Sequence, residues 1–164
     1  SYPIAYTPLG VLFSGLFMGF LIVIVAFYIQ TETITSTAVM LAIPSTLLVA
    51  AIMMSNNIRD IVGDEKSGRR TLAILAGRPA AVTIFMWFFI LSYAWIILLV
   101  VLGIITPWAL LVLLSVVKPV KVIKTFKRHT EPLKVMPAMK DTGITNTLFD
   151  FLLAIGLLVD YFLS

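Results

Sequence analysis

The sequence predicts an all-α integral membrane protein, and three observations indicate this class. Of the 164 residues, 60% are hydrophobic and 12% are charged, about half of the roughly 25% charged residues in an ordinary soluble domain. The mean hydropathy is +1.07. The apolar residues also run in blocks of about twenty, the length of helix that crosses a hydrocarbon core of about 30 Å. So few charged side chains cannot cover a soluble protein of this size, and a soluble fold is therefore excluded.

The composition excludes several other classes. A disordered chain combines low hydrophobicity with high net charge, whereas the net charge here is +4. Because the sequence has no cysteine, a disulfide scaffold, a cysteine-ligated zinc site and thiol catalysis are excluded. A basic chain often binds nucleic acid, but the positions of the basic residues indicate membrane topology instead. We therefore expect a lipid bilayer, and no nucleic acid, as a partner.

Five membrane-spanning helices are predicted in chain order. They are residues 9–30, 37–55, 80–102, 104–117 and 143–163. The fourth is short, and one helix over residues 80–117 would be about 57 Å long, nearly twice the hydrocarbon core. Gly103 and Pro107 lie in the middle of that run and favour a tight turn there. We therefore expect two spans, with the second extended by Lys118 and Lys121, whose side chains can reach the headgroups.

The positions of the cations support five spans. All 12 Lys and Arg residues fall in two connections, five in residues 59–78 and seven in residues 118–140. Two spans separate these connections, so both lie on one membrane face, in agreement with the enrichment of Lys and Arg in cytoplasmic loops. We expect residues 1–8 and both basic connections on the cytoplasmic face of the cell membrane. Residues 31–36, the turn at residues 103–107 and the C-terminus then lie outside.

A polar stripe follows the second span and is the candidate for chemistry. If that helix continues past Ser55, a rotation of about 100° per residue brings two Asn and two Asp onto one narrow face. These residues are Asn56, Asn57, Asp60 and Asp64. Carboxylates one turn apart repel each other unless a cation lies between them, and Mg²⁺ is commonly held by one or two carboxylates together with phosphate oxygens. The alternative is a solvated loop in which these acids pair with neighbouring Arg and Lys.

The polar stripe resembles a motif of a known family, the UbiA-type membrane prenyltransferases. Their second aspartate-rich motif is closely similar to the run Asn56-Asn57-x-Arg59-Asp60-x-x-x-Asp64-x-x-x-Gly68-x-Arg70-Thr71-Leu72-Ala73. The run looks most like the branch that prenylates 1,4-dihydroxy-2-naphthoate in menaquinone synthesis. Two further stretches are similar, Tyr2-Pro3-Ile4-Ala5-Tyr6-Thr7-Pro8-Leu9-Gly10 and Pro137-Ala138-Met139-Lys140-x-Thr142. Members have nine transmembrane helices, so the resemblance implies that residues 1–164 form one transmembrane domain corresponding to the fifth to ninth helices.

The resemblance also implies a reaction and roles for individual residues. A polyprenyl diphosphate held through Mg²⁺ ionises to an allylic cation, which alkylates an aromatic acceptor. Asp60 and Asp64 would bind Mg²⁺ and, through it, the diphosphate. Arg59 would contact an acidic acceptor such as 1,4-dihydroxy-2-naphthoate. The residues expected to bind the diphosphate or its departing charge are Asn57, Lys66, Arg70 and Lys140.

One part of the family pattern is absent from the sequence. The first aspartate-rich motif, an Asn-x-x-x-Asp-x-x-x-Asp type of run, has no counterpart here. We therefore expect a C-terminal part that needs the N-terminal half of the same enzyme and is inactive alone. Two alternatives stay open: a family member with 4-hydroxybenzoate, haem or a chlorophyllide as acceptor, and a non-enzymatic transporter or channel fragment. The second alternative predicts acids near mid-membrane, at broken helices.

Two features inside the spans have their own interpretations. Asp150 lies roughly two turns into the last predicted span, where a charge is costly and usually faces a cavity or a partner. We expect it either to line the active cavity or to form a structural pair. Gly15 and Gly19 are spaced four residues apart in an apolar helix, which favours close helix packing.

Overall fold

The structure is a computed structural model that describes residues 3–163, and within these residues it contains helices and connections but no strand. The α-helices are α1 (Leu9–Ser14), α2 (Ile22–Thr31), α3 (Ser36–Lys66), α4 (Leu72–Ala76), α5 (Arg78–Val101), α6 (Val117–Arg128) and α7 (Pro132–Leu163). A π-helical segment, Gly15–Leu21, joins α1 to α2, and 3-10 helices occupy Ile4–Tyr6 and Pro107–Ser115. The predicted all-α class is confirmed. Tyr2 of the family-like N-terminal stretch and the last residue, Ser164, lie outside the described residues.

Four helices of the described chain are long and apolar enough to cross a membrane. They are the continuous helix Leu9–Thr31, then α3, α5 and α7. The predicted spans differ most from the observed helices at α3 and α7, which have 31 and 32 residues. At about 1.5 Å per residue each is about 47 Å long, so both extend well beyond a hydrocarbon core of about 30 Å. Their additional residues carry charges, which is why an apolar pattern did not include them.

The predicted span at residues 104–117 is not confirmed. The chain leaves α5 through Gly103, whose φ of +67° is a left-handed conformation that favours glycine. Pro107 then begins a nine-residue 3-10 helix, and the Thr106 hydroxyl caps it by accepting a hydrogen bond from the backbone N–H of Trp108 at 3.3 Å. The turn is therefore where the sequence predicts it. The apolar run after the turn does not form one long α-helix. It winds as a 3-10 helix as far as Ser115, and α6 then begins at Val117.

The 3-10 helix and α6 nevertheless follow α7 in the antiparallel direction. The backbone of Trp108 lies against Gly156, near the C-terminal end of α7. Farther along, Lys118 Nζ is 3.4 Å from the carboxylate of Asp141, two residues before the last predicted span begins. The segment thus lies along roughly 22 Å of α7. A fifth membrane crossing stays a prediction.

The core is built around α3, which packs against the π-helical segment, α4, α5 and α7. Gly15 and Gly19 let the first span approach α3 closely, since a Cβ atom on Gly19 would lie 2.6 Å from Thr46 Cα. The predicted close packing at these glycines is confirmed. An edge-to-face aromatic contact joins α5 to α6. The Phe85 and Phe126 ring centroids are 5.3 Å apart, and both rings are fully buried.

The two basic connections meet at one end of the bundle. Arg78, the first residue of α5, donates from Nη1 to the carbonyl of Ile58 on α3 at 2.9 Å. Its Nη2 donates to the carbonyls of Phe126 at 3.2 Å and His129 at 2.5 Å, at the C-terminal end of α6. A guanidinium is suited to this position because its donors point in fixed directions and its charge complements the negative end of a helix dipole. Residues 59–78 and 118–140 therefore lie on the same side of the bundle, as the charge pattern predicts.

Candidate functional site

The candidate site lies on the last three turns of α3. The helix continues through Lys66, so Asn57, Asp60 and Asp64 are helical residues, as the polar stripe required. It ends because Gly68 adopts φ +75° and turns the chain back. After this turn the backbone N–H of Arg69 donates to the carbonyl of Asp64 at 3.0 Å. The loop that follows α3 is thus held against the end of the helix that carries the two aspartates.

The stripe residues differ in how far they reach solvent. Asn57 is 7% exposed and Asp64 is 8% exposed, so both face the interior of the bundle end. The side chain of Asp60 is 38% exposed and lies at the edge. A carboxylate as buried as Asp64 needs a charged or hydrogen-bonding partner. The buried position distinguishes Asp64 from an ordinary solvated loop acid.

Each aspartate is paired with an arginine. Arg59 holds Asp60 with two hydrogen bonds, Nε to Oδ1 at 2.7 Å and Nη2 to Oδ2 at 2.5 Å. Arg69 Nη1 donates to Asp64 Oδ1 at 2.9 Å. These are the acid and arginine pairs that the solvated-loop alternative predicts, but one of them involves a buried carboxylate. An ionised carboxylate has about four acceptor positions, so both aspartates keep oxygen lone pairs for a further ligand.

The carboxylate oxygens of Asp60 and Asp64 suit a cation that is also bound by a phosphate ligand. Within residues 3–163, no group of three or more His, Cys, Asp or Glu side chains is placed to hold a metal ion. An all-protein cage, as Ca²⁺ or Zn²⁺ usually requires, is therefore not formed by these residues. Mg²⁺ commonly takes one or two carboxylates and completes its octahedron with water and phosphate oxygens. Asp60 and Asp64, on one helix face, fit that smaller requirement.

Tyr6 packs on the loop after α3, a contact that the sequence analysis did not predict. The backbone N–H of Arg70 donates to the carbonyl of Tyr6 at 2.8 Å. The guanidinium of Arg69 lies 4.3 Å from the centroid of the Tyr6 ring, a cation–π contact. Hydrogen bonding with Tyr6 raises the pKa of Arg69, and the nearby charge of Asp64 raises it further. The resemblance of the N-terminal stretch to the family was the one signal that pointed to Tyr6.

Two buried polar atoms of the same loop have no hydrogen-bond partner in the described part of the chain. They are Arg69 Nε and Thr71 Oγ1, and Thr71 is 1% exposed. Buried donors are nearly always satisfied in folded proteins, so an unsatisfied pair needs an explanation. Both can donate to an anion, and both belong to the loop that Asp64 holds.

The other residues predicted to bind the diphosphate, apart from Asn57, lie at the protein surface. Lys66 ends α3 and Arg70 follows the turn, and both are exposed. Lys140 is also exposed and lines a shallow groove on α7. The other lining residues are Gly143, Ile144, Thr147, Leu148 and Phe151, so no residue of the aspartate motif takes part in that groove. The structure brings the Arg59, Asp60, Asp64 and Arg69 side chains to one helix end, whereas Lys140 lines the groove on α7.

Comparisons with known proteins agree with the motif. The sequence matches the UbiA prenyltransferase family over residues 1–139. It is 50% identical over 160 residues to 1,4-dihydroxy-2-naphthoate octaprenyltransferase of Bacillus subtilis, covering 98% of this chain and 51% of that protein. It is 28% identical over 151 residues to the Escherichia coli protein of the same name, covering 90% and 49%.

A more distant relative and the solved structures complete these comparisons. The chain is 31% identical over 152 residues to the UbiA prenyltransferase domain-containing protein 1 homolog of Drosophila melanogaster, covering 92% of this chain and 41% of that protein. The chain spans about half the length of the curated relatives it matches. No solved structure matches it.

Proposed function

Because the chain belongs to the UbiA prenyltransferase family, we propose that it forms the C-terminal half of a membrane enzyme of menaquinone synthesis. The enzyme transfers a polyprenyl group from polyprenyl diphosphate to 1,4-dihydroxy-2-naphthoate. The observation that supports this most strongly is the 50% identity to the Bacillus subtilis enzyme of that name over nearly the whole chain. The aspartate motif lies at the end of the bundle where both basic connections meet, which favours the cytoplasmic face.

The two aspartates are the proposed metal ligands. Asp60 and Asp64 would hold Mg²⁺, which would supply Lewis-acid stabilisation to the diphosphate leaving group. Their arginine partners keep these carboxylates compensated in the absence of the cation. Arg59, which pairs with Asp60 at the exposed edge of the site, would bind the carboxylate of the acceptor. In the naphthoate branch this carboxylate leaves from the ring carbon that is alkylated, so Arg59 would orient the reacting position.

The loop after α3 is the proposed binding site for the leaving diphosphate. Arg69 Nε and Thr71 Oγ1 are buried and have no hydrogen-bond partner among residues 3–163, and each can donate to an anion bound in the loop. Lys66 and Arg70 add positive charge at the exposed side of the same loop, where it stabilises the negative charge that develops as the allylic bond breaks. Asn57 contributes its amide from the buried face of α3. Lys140 lies in a separate groove, so we assign it a role only in the assembled enzyme.

The proposal predicts that this chain needs the other half for activity. The first aspartate-rich motif is not in the sequence, so half of the proposed metal site would come from the N-terminal half. A chimera tests this directly: the N-terminal half of the Bacillus subtilis relative is joined to this chain, hereafter the chimera. Mg²⁺-dependent transfer from a polyprenyl diphosphate is then measured with 1,4-dihydroxy-2-naphthoate, 4-hydroxybenzoate, haem and a chlorophyllide as acceptors.

The expected result is transfer to 1,4-dihydroxy-2-naphthoate by the chimera and none by the 164-residue chain alone. Asp60→Ala and Asp64→Ala should each reduce turnover by at least about 100-fold, since each removes a ligand of the group that stabilises the leaving charge. Asp160→Asn removes an exposed carboxylate from the same chain and serves as the matched control. Turnover that survives both alanine variants, or turnover by the chain alone, would contradict the proposal.

A further inference from the structure

Asp150 is a carboxylate within the α7 span that the proposed reaction does not use. Ser45 of α3 donates a hydrogen bond from Oγ to Asp150 Oδ1 at 2.8 Å. Among the described residues this is the one hydrogen bond to that carboxylate, which leaves Oδ2 available. An ionisable side chain inside a span is costly and usually faces a ligand, a water-filled cavity or a partner. The hydrogen bond to a single hydroxyl does not compensate a full negative charge.

A cavity of about 410 Å³ opens beside this carboxylate, between the first span, α3 and α7. Its walls are mainly apolar side chains, among them Val23, Phe27, Leu41, Leu153 and Leu157. Among the described residues, the polar lining consists of Asp150, Ser45 and two threonines and contains no Lys, Arg or His. The volume falls within the range of about 300–1,000 Å³ that is usual for small-molecule sites. The cavity thus combines apolar walls with one carboxyl group.

We propose that this cavity binds a lipophilic organic cation, with an ammonium group on Asp150 and an apolar body against the walls. Charge complementarity indicates this class of ligand, because a carboxylate in apolar surroundings is stabilised by a cation within hydrogen-bond distance. The ammonium N–H donates to Oδ2, while Ser45 holds Oδ1 and fixes the orientation of the carboxylate. A neutral ligand with the same apolar body would contact the same walls but offer the Asp150 carboxylate no cationic partner.

The cation site is separate from the aspartate motif. Ser45 precedes Asp60 by fifteen residues on the continuous helix α3, a rise of about 22 Å. A ligand on Asp150 therefore cannot touch Asp60 or Asp64. The inference does not depend on the proposed prenyl transfer, and binding should require neither Mg²⁺ nor a polyprenyl diphosphate.

Binding to the 164-residue chain in lipid nanodiscs tests the proposal. The probe is 4-phenylbutylammonium, and 4-phenylbutanol is the neutral compound with the same apolar body. Saturable binding is measured by equilibrium dialysis against nanodiscs without protein. We expect saturable binding of the amine, at least tenfold weaker binding of the alcohol, and at least tenfold weaker amine binding in Asp150→Asn. Asp160→Asn removes an exposed charge from the same helix and should change amine binding less than twofold.

A second variant covers the case in which Asp150→Asn does not fold, as judged by helical circular dichroism and elution volume. Ala154 lines the cavity, so Ala154→Phe should fill it and abolish amine binding while the carboxylate remains. Equal binding of amine and alcohol, or unchanged amine binding in Ala154→Phe, would overturn the proposal. Loss of amine binding in the chimera would also overturn it, since the cavity would then be a surface that the N-terminal half covers.

Discussion

The contact between the first span and α3 allows a quantitative prediction for Gly19→Ala. A Cβ atom on Gly19 would lie 2.6 Å from Thr46 Cα, 2.8 Å from the Ser45 carbonyl oxygen and 2.9 Å from Thr46 N. All three are backbone atoms, so no side chain can rotate away. Carbon atoms in contact prefer about 3.5–4.0 Å, so the two helices would have to separate by roughly 1 Å.

The expected cost follows from two opposing terms. Overpacking of this kind costs about 1–3 kcal/mol. Alanine in a helix is favoured over glycine by about 0.5–1 kcal/mol, which offsets part of that cost. The net result is a loss of up to about 2.5 kcal/mol in the free energy of unfolding, and about 1 kcal/mol at the midpoints of the two ranges. Gly143→Ala is the matched control, because a Cβ atom there meets nothing within 4 Å and should leave stability unchanged or slightly increased.

Titration with sodium dodecyl sulfate in mixed micelles, followed by circular dichroism, measures this difference for the 164-residue chain. Gly19→Ala should unfold at a lower detergent fraction than the unsubstituted chain, and Gly143→Ala should not. Equal unfolding free energies for the two variants would show that the first span does not pack against Thr46 as described. A loss well above about 3 kcal/mol would mean that separation of the helices disrupts more than this one contact.

Three further predictions concern the end of the bundle that carries the aspartate motif. Arg78→Gln should lower the free energy of unfolding by about 2–4 kcal/mol in the same titration, because it removes charged hydrogen bonds to three carbonyls, whereas Arg128→Gln at an exposed position should change it by less than about 0.5 kcal/mol. Tyr6→Ala removes the ring beneath Arg69 and should speed trypsin cleavage after Arg69 about two- to fivefold, as expected for a lost cation–π contact. In the chimera, EDTA should abolish transfer and added Mg²⁺ should restore it; transfer that resists EDTA would exclude the metal assignment.

The sequence predicted those parts of the fold that depend on local pattern. Apolar length located four spans. The polar stripe of Asn57, Asp60 and Asp64 required α3 to continue past the predicted end at Ser55, and it does so. The glycine and proline at residues 103 and 107 predicted the turn after α5. The beginning of α7 was missed, because the charged residues before residue 143 interrupt the apolar pattern without interrupting the helix.

The arrangement of the candidate site could be predicted only in part. The motif pointed to Asp60 and Asp64 as candidate ligands, but not to the arginine that each one pairs with, since Arg59 and Arg69 were equally able to face solvent. The contact between Tyr6 and the loop after α3 joins residues more than sixty positions apart, and Arg78 reaches a carbonyl 51 residues away. Such contacts follow from the packing of helices and leave no periodic signal in the sequence.

The 3-10 helix Pro107–Ser115 extends farther per residue than an α-helix of the same sequence length would. A 3-10 helix rises about 2.0 Å per residue, against about 1.5 Å for an α-helix. Its nine residues therefore extend about 18 Å, a distance for which an α-helix needs about twelve. A hydropathy window calibrated in α-helical residues underestimates the length of this 3-10 segment by about a quarter. For this stretch, depth in the bilayer is better measured in ångströms along the backbone than in residues.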